Sequence, residues 1–168
     1  MEMNTTLHKM LIHAVKDMYY AEKKIHKSLP KVIKAAMSPE LKEALTAHRE
    51  ETAGHITNLV EVFAVLHVAP RGQKCDAIDG ILDEVNGIIE EFGDTNGCDA
   101  AIIFAGQAVE HYEITRYGTM RVWADEMGHA NISKLITTNL EQERAADEKM
   151  TALAEGRFNA EANSEDSA

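Results

Sequence analysis

Acidic residues interrupt the apolar stripes of four long segments that have helical periodicity. In the first segment, apolar residues recur every three or four positions from Leu7 to Leu29, and Glu22 falls on the same stripe. An ionised carboxylate removed from water costs on the order of several kcal/mol unless it is paired, protonated or bound to a metal. A pair of metal ions would neutralise most of this charge if the acids met in one core. The acidic positions on the stripes are Glu22, Glu51, Glu110 with Glu113, and Glu143 with Asp147.

The same periodicity predicts an all-α protein. Long helices are expected at about 5–36, 39–66, 99–127 and 131–154, with a short extra helix at about 76–92 in the crossover between the second and third long helices. Residues 38–40 form a helix start, and Pro30 is expected to kink the first helix because it removes one hydrogen bond. These lengths suit a four-helix bundle of two hairpins. We expect one domain over 1–156 and a disordered acidic tail over 157–168.

Composition narrows the classes of function. The 168 residues carry a formal net charge of −11, which disfavours nucleic-acid binding because the phosphate backbone would be repelled. No apolar run is long enough to cross a membrane, and the first residues lack the apolar core of a secretory signal. Cys75 and Cys98 have no paired-cysteine spacing and are interpreted as reduced thiols, with a single disulfide as the alternative. A cytoplasmic protein is expected.

The acids and two histidines have the spacing of a metal site in a helical bundle. Residues three or four apart lie on one face of a helix, so such pairs can hold one ion together or bridge two. Oxygen ligands with one or two imidazoles suit iron or manganese, and zinc would also bind. We therefore expect two iron or manganese ions. Glu22, Glu51, Glu110 and Glu143 are the principal candidate ligands, and Glu113, His48, His55 and Asp147 are the candidates for the remaining positions.

The second long helix leaves its inward position open. His48, Glu51 and His55 share one face by spacing, but a phase error of one residue would bring Glu50 or Thr52 inward instead of Glu51. The usual Glu-x-x-His pair of such sites is missing there, because Glu51 reaches His55 only at the fourth residue and His48-x-x-Glu51 has the reverse order. These departures from the usual spacing affect which residues would bind metal more than they affect the predicted fold.

Several strings resemble the YciE/YciF family of bacterial stress-induced proteins. They are YAEKK at 20–24, HREET at 48–52 and VEHYEI at 109–114, and the resemblance extends over about residues 5–154. It implies a ferritin-like bundle, similar to rubrerythrins and manganese catalases, in a cytosolic homodimer connected with the stress response. It implies no particular reaction.

Three functions are consistent with the sequence. The first is a di-iron or di-manganese carboxylate protein that acts on peroxide or on iron during stress. The second is a non-enzymatic helical dimer that binds an unidentified protein partner and whose metal site is vestigial or empty. The third is iron storage in a closed shell of many subunits. Whether the chain is an enzyme is left open by the residues.

Overall fold

The computed structural model describes residues 5–164, and all of the secondary structure in this range is helical. The main helices are α1 Thr6–Ala35, α2 Pro39–Val65, α3 Asp76–Phe92, α4 Cys98–Glu126 and α5 Ala130–Leu153. The expected all-α architecture is confirmed, and each helix begins and ends within about two residues of the predicted range. α1 continues through Pro30 and ends at Ala35.

Local side-chain chemistry explains where the helices begin and end. The Thr5 hydroxyl accepts a hydrogen bond from the His8 amide at 3.2 Å at the start of α1. The Ser38 hydroxyl accepts one from the Glu40 amide at 3.2 Å, with Pro39 in the first turn of α2. Gly128 has a φ of 71°, which is the left-handed conformation that glycine adopts readily after a helix end. It therefore closes α4 and allows the tight return into α5.

The helices pack as two hairpins. α1 packs along α2, α4 packs along α5, and the hairpins meet through contacts between α2 and α5 and between α1 and α4. α3 crosses between the hairpins and covers α4 and α1. Large apolar side chains such as Leu11, Met18, Phe63 and Met120 are fully buried between these helices. The apolar stripes therefore face one another across a common core, as their periodicity predicted.

The segment after α5 differs from the expected disordered tail. Residues Ala154–Phe158 form a π-helical turn, and Asn159–Ala162 form a short helix, α6. Phe158 is only 1% exposed, and the turn packs against α4 as well as α5. Burial of this one large aromatic ring anchors a segment whose polar composition suggested disorder. Residues 165–168 of the expected tail lie outside the described part of the chain.

Two further expectations concern the cysteines and the membrane. Cys75 and Cys98 are both free and buried, which agrees with the interpretation as reduced thiols. The Cys75 sulfur accepts from the Ile78 amide at 3.5 Å and caps α3. Among the helices of residues 5–164, none combines the length and apolar character needed to cross a bilayer.

Candidate metal centre

Two overlapping groups of ligand-type side chains lie in the core. The ligand atoms within each group are all within 4.8 Å of one another, and every member is buried. Because Glu143 belongs to both groups, they form one continuous cluster. The His48 group consists of His48, Glu110, Glu113 and Glu143, and the His55 group consists of Glu22, His55 and Glu143.

Each long helix contributes to the cluster through its spacing. Glu110 and Glu113 are three residues apart on α4 and therefore lie on the same face. His48 and His55 are seven residues apart on α2, which is two turns and about 10 Å along the helix axis. The two histidines therefore mark the two ends of the cluster, and the carboxylate of Glu143 from α5 lies within reach of both groups.

The His55 ring is fixed by the residue that precedes Glu143. Its Nε2 lies 2.9 Å from Oε1 of Gln142, an acceptor, so Nε2 carries the proton of the neutral ring. Nδ1 then faces the cluster, at 2.9 Å from Glu143 Oε1 and 3.3 Å from Glu22 Oε1, although neither contact has the angles of a hydrogen bond. When Nδ1 is unprotonated, its lone pair and the two carboxylate oxygens lie close enough together to hold one cation between them.

The His48 ring lies between a carboxylate of the cluster and Glu51, which is at the edge of the same helix. Its Nε2 lies 3.2 Å from Glu110 Oε1, and its Nδ1 lies 3.8 Å from Oε2 of Glu51. Glu113 is completely buried in the same group. At the other end of the cluster, the buried Tyr117 hydroxyl donates a hydrogen bond to Glu22 Oε1. Tyr117 on α4 therefore orients the Glu22 carboxylate of α1 while its ring packs in the core.

Most of the carboxylate oxygens in the cluster have no hydrogen-bond partner. Within residues 5–164, the buried oxygens without a partner are Glu22 Oε2, Glu110 Oε2, both oxygens of Glu113 and both oxygens of Glu143. Buried polar atoms are almost always hydrogen-bonded, so such a concentration requires another explanation. Protons or cations must neutralise these groups, and a set of carboxylates with two imidazoles could hold metal ions of the iron or manganese type.

Burial favours the protonated form of two carboxyl groups in the cluster when no metal is bound. Burial raises the pKa of Glu113 and of Glu110 well above the usual range for a carboxyl group, and neighbouring carboxylates such as Glu143 raise it further. Burial by itself would lower the pKa of His55, but Glu143 and Glu22 outweigh it and raise this pKa to about 10. Burial also opposes the charge on His48, whose pKa is nevertheless raised by Glu110 and Glu51. A bound metal ion would displace these protons.

The structure brings together six of the eight predicted ligands. Glu51, one of the four principal candidates, and Asp147 lie outside both groups. Glu51 is 38% exposed, and Thr52 takes the inward position, so the one-residue alternative for α2 is the right phase. The Asp147 side chain is 20% exposed, accepts from Gln107 at 3.0 Å and lies 3.1 Å from His111 Nε2. The six grouped residues are Glu22, His48, His55, Glu110, Glu113 and Glu143.

Gln142 contacts the site although no pattern in the sequence predicts it. Its neighbour Glu143 lies on the apolar stripe of α5, whereas Gln142 lies about 100° away and gives no sign of contact with the site. Its long side chain nevertheless reaches the His55 ring from the cluster edge. Only the packing of α5 against α2 reveals this contact.

The fold and the cluster define an all-helical protein with a buried carboxylate–histidine centre. Residues 6–163 match the model of the family described as "Domain of unknown function (DUF892)", and the chain belongs to this family. It is 37% identical over 158 residues to Protein YciF of Escherichia coli (strain K12). The aligned region covers 94% of this chain and 95% of that protein.

Solved structures agree with this assignment. The crystal structure of the E. coli stress protein YciF matches with a TM-score of 0.87 and 37% identity, over 93% of this chain and 99% of that one. YcfI from Rhodopseudomonas palustris matches with a TM-score of 0.85 and 46% identity, over 88% and 94% of the two chains. The resemblance to the YciE/YciF family is thus confirmed on the YciF side. The same strings also suggested YciE as the individual member most like this chain, and these matches do not support YciE in particular.

Proposed function

We propose that this chain is a ferritin-like, di-metal carboxylate protein of the stress response, with two iron or manganese ions in its core. The observation that carries the proposal is the set of six buried carboxylate oxygens without a hydrogen-bond partner, all within the two adjoining groups. Such a concentration is destabilising in a metal-free core and is neutralised by two cations. The link to stress rests on the likeness to YciF, which is described as a stress protein.

The two groups supply a different set of side chains to each ion. Glu22 and His55 would hold one ion, while His48, Glu110 and Glu113 would hold the other. Glu143 would contact both, because its oxygens belong to both groups. Bound iron or manganese would supply the one-electron chemistry needed to act on peroxide or to oxidise ferrous iron. Tyr117 would keep the Glu22 carboxylate oriented through its hydroxyl.

Metal analysis of the purified chain tests this proposal. Protein prepared with iron or manganese available should contain about two ions per chain, as in bundle-core carboxylate sites. Glu143→Gln should lose both ions because this carboxylate is shared. Glu141→Gln is the matched control, since Glu141 is exposed on the same helix and should keep both. A wild-type chain that stays metal-free in excess iron and manganese, with an unchanged melting temperature, would refute the proposal.

A second candidate function is a non-enzymatic helical dimer that binds a protein partner. Exposed aromatic rings favour it, because Phe104 on α4 is 68% exposed and Phe92 on α3 is 40% exposed beside the same shallow surface depression. This candidate predicts a melting temperature that does not depend on metal. It also predicts that light scattering finds a homodimer and that Phe104→Ser weakens this dimer. A closed shell of many subunits in the same measurement would instead favour iron storage. We place the homodimer in the cytoplasm as part of the same proposal.

A further inference from the structure

A cavity of about 110 Å³ lies between α2 and α5 beside the His48 group. Its walls are small because four alanines line it, namely Ala44, Ala47, Ala145 and Ala146. Ala47 and Ala145 are exposed, whereas Ala44 is buried, so the cavity runs from the protein surface into the core. At ~30 Å³ for each water molecule, it has room for about three to four waters.

His48 connects this cavity to the metal centre. Its side chain lines the cavity and is nearly completely buried, and its Nδ1 has no hydrogen-bond partner. The opposite nitrogen, Nε2, lies 3.2 Å from Glu110 Oε1 inside the cluster. A buried and unpartnered imidazole nitrogen is costly unless something occupies the space beside it. The ring therefore lies between the cavity and the carboxylates.

Glu51 places a negative charge at the outer part of the same cavity. Its carboxylate is partly exposed and lies 3.8 Å from His48 Nδ1. A carboxyl group that keeps contact with water is ionised at neutral pH. An ionised carboxylate at the mouth of a narrow cavity raises the local concentration of cations there. Lys149 is the other charged residue of the lining, and its charge opposes this effect.

We propose that this cavity is the uptake route of the metal centre for divalent cations, with Glu51 as a transient ligand at its mouth. A cation that exchanges some of its waters for the Glu51 carboxylate moves past His48 to Glu110 and Glu113. Metal–water bonds are exchanged for metal–ligand bonds, and the O–H and N–H bonds of any protonated ligands break as their protons pass to solvent water. This inference rests on the proposed function, and it gives Glu51 a role outside the final ligand set.

The rate of metal uptake separates a transient ligand from a permanent one. Metal-free full-length protein is mixed with Co²⁺ in 0.15 M salt, and the visible absorption of the bound ion is followed by stopped flow. At this ionic strength, general attraction by distant surface charges is largely screened over about 8 Å. Glu51→Gln should slow uptake by about tenfold or more and should still reach the wild-type number of ions at equilibrium.

Matched variants test the path itself. Glu50→Gln removes the same charge from the adjacent exposed position and should take up Co²⁺ at the wild-type rate. Ala145→Leu narrows the cavity from an exposed wall without changing charge, and should also slow uptake with unchanged final binding. Lys149→Gln removes the opposing positive charge and should speed uptake. Slower uptake in Lys149→Gln would contradict a cation route.

The remaining outcomes distinguish this inference from the function on which it rests. Glu51→Gln that loads at the wild-type rate would overturn the uptake route and leave the metal centre standing. Glu51→Gln that holds fewer ions at equilibrium would make Glu51 a permanent ligand and would also overturn the route. Wild-type protein that takes up no Co²⁺, iron or manganese would refute the metal centre and the route together.

Discussion

The two ends of the cluster differ although the same helix supplies a histidine to each. At the His55 end, Glu22, His55 and Glu143 are fully buried, and Gln142 fixes the ring from α5. At the His48 end, the ring lines a cavity that reaches exposed residues, and a partly exposed carboxylate lies beside it. The histidines are two turns apart on one face of α2, so the difference comes from what α5 places opposite them. At one end, Gln142 and Glu143 of α5 contact the His55 ring, whereas at the other end Ala145 and Ala146 of α5 line the cavity beside His48.

The His48 end also contacts a second, smaller cavity. This space of about 30 Å³ is lined mainly by apolar side chains such as Leu29 and Val109, together with His48 and Glu110. Gly106 contributes to it, and a Cβ at that position would lie 3.3 Å from the Met150 sulfur. The space is about the size of one water molecule. Both cavities adjoin His48, so exchange with solvent is expected at this end of the cluster.

The largest expected effect separates the two ends by their ion content. Glu110→Gln should remove the ion of the His48 group and leave that of the His55 group, whereas Glu22→Gln should do the reverse. A neutral amide of the same shape lacks the charge that offsets the cation but preserves the packing. Metal analysis should find about one ion per chain in each variant, compared with about two in the wild type. Loss of both ions in both variants would mean that the two groups act as one inseparable site.

The helices were predictable because their signals are local. Ser38 before Pro39 and the glycine at position 128 specify helix ends by capping and backbone conformation, whatever the rest of the chain does. The inward position of α2 was not predictable in this way. Glu51 lies at the edge of the face defined by His48 and His55, and a step of one residue rotates a side chain by about 100°. The packing against α5 decides that Thr52 faces inward.

The burial of Phe158 and the contact of Gln142 with His55 could not be predicted from the sequence, and the reason is the same for both. Both depend on residues far away in the sequence, since Phe158 packs where the segment after α5 meets α4, and Gln142 reaches across to α2. Periodicity within one segment carries no information about the surface that a neighbouring helix presents. The acidic positions could be predicted because a charged residue on an apolar stripe is conspicuous within its own segment, since burying a charge is costly.

A smaller effect should appear at the His55 end when the support of the His55 ring is removed. Gln142→Leu takes away the acceptor that holds His55 Nε2, so the ring loses its fixed orientation. Loss of such a support costs roughly 10- to 100-fold in metal affinity. A competition titration with a chelator should therefore show weaker binding of one ion and unchanged binding of the other. Gln107→Leu is the control, because Gln107 binds Asp147 and Thr151 outside both groups.

Two results with Gln142→Leu would contradict this prediction. Equal weakening of both ions in Gln142→Leu would show that the two ends are coupled through Glu143 more strongly than their geometry indicates. Unchanged affinity would show that Glu143 and Glu22 alone orient the His55 ring, through the contacts at 2.9 and 3.3 Å.

The last expected effect is a dependence of stability on pH that reverses when metal is bound. In the metal-free protein, Glu110 and Glu113 have a raised pKa, so the folded state keeps protons that the unfolded state loses above about pH 4.3. The pKa of His55 is raised to about 10. Its contribution to stability is complete below the unfolded value of about 6.5 and is lost as the pH rises through 10. Both kinds of group therefore make metal-free stability fall with rising pH, by about 1.4 kcal/mol per pH unit for each proton of difference.

Urea unfolding of the same preparation at pH 6, 7.5 and 9, with chelator or with manganese, measures this reversal. The chelated protein should lose stability from pH 6 to pH 9. The metal-loaded protein should gain stability over the lower part of the range, because binding requires deprotonated ligands and protons compete with the ions. A chelated protein that becomes more stable with rising pH would mean that the buried carboxyl groups are ionised without metal. Other cations would then have to neutralise the six carboxylate oxygens that lack a hydrogen-bond partner.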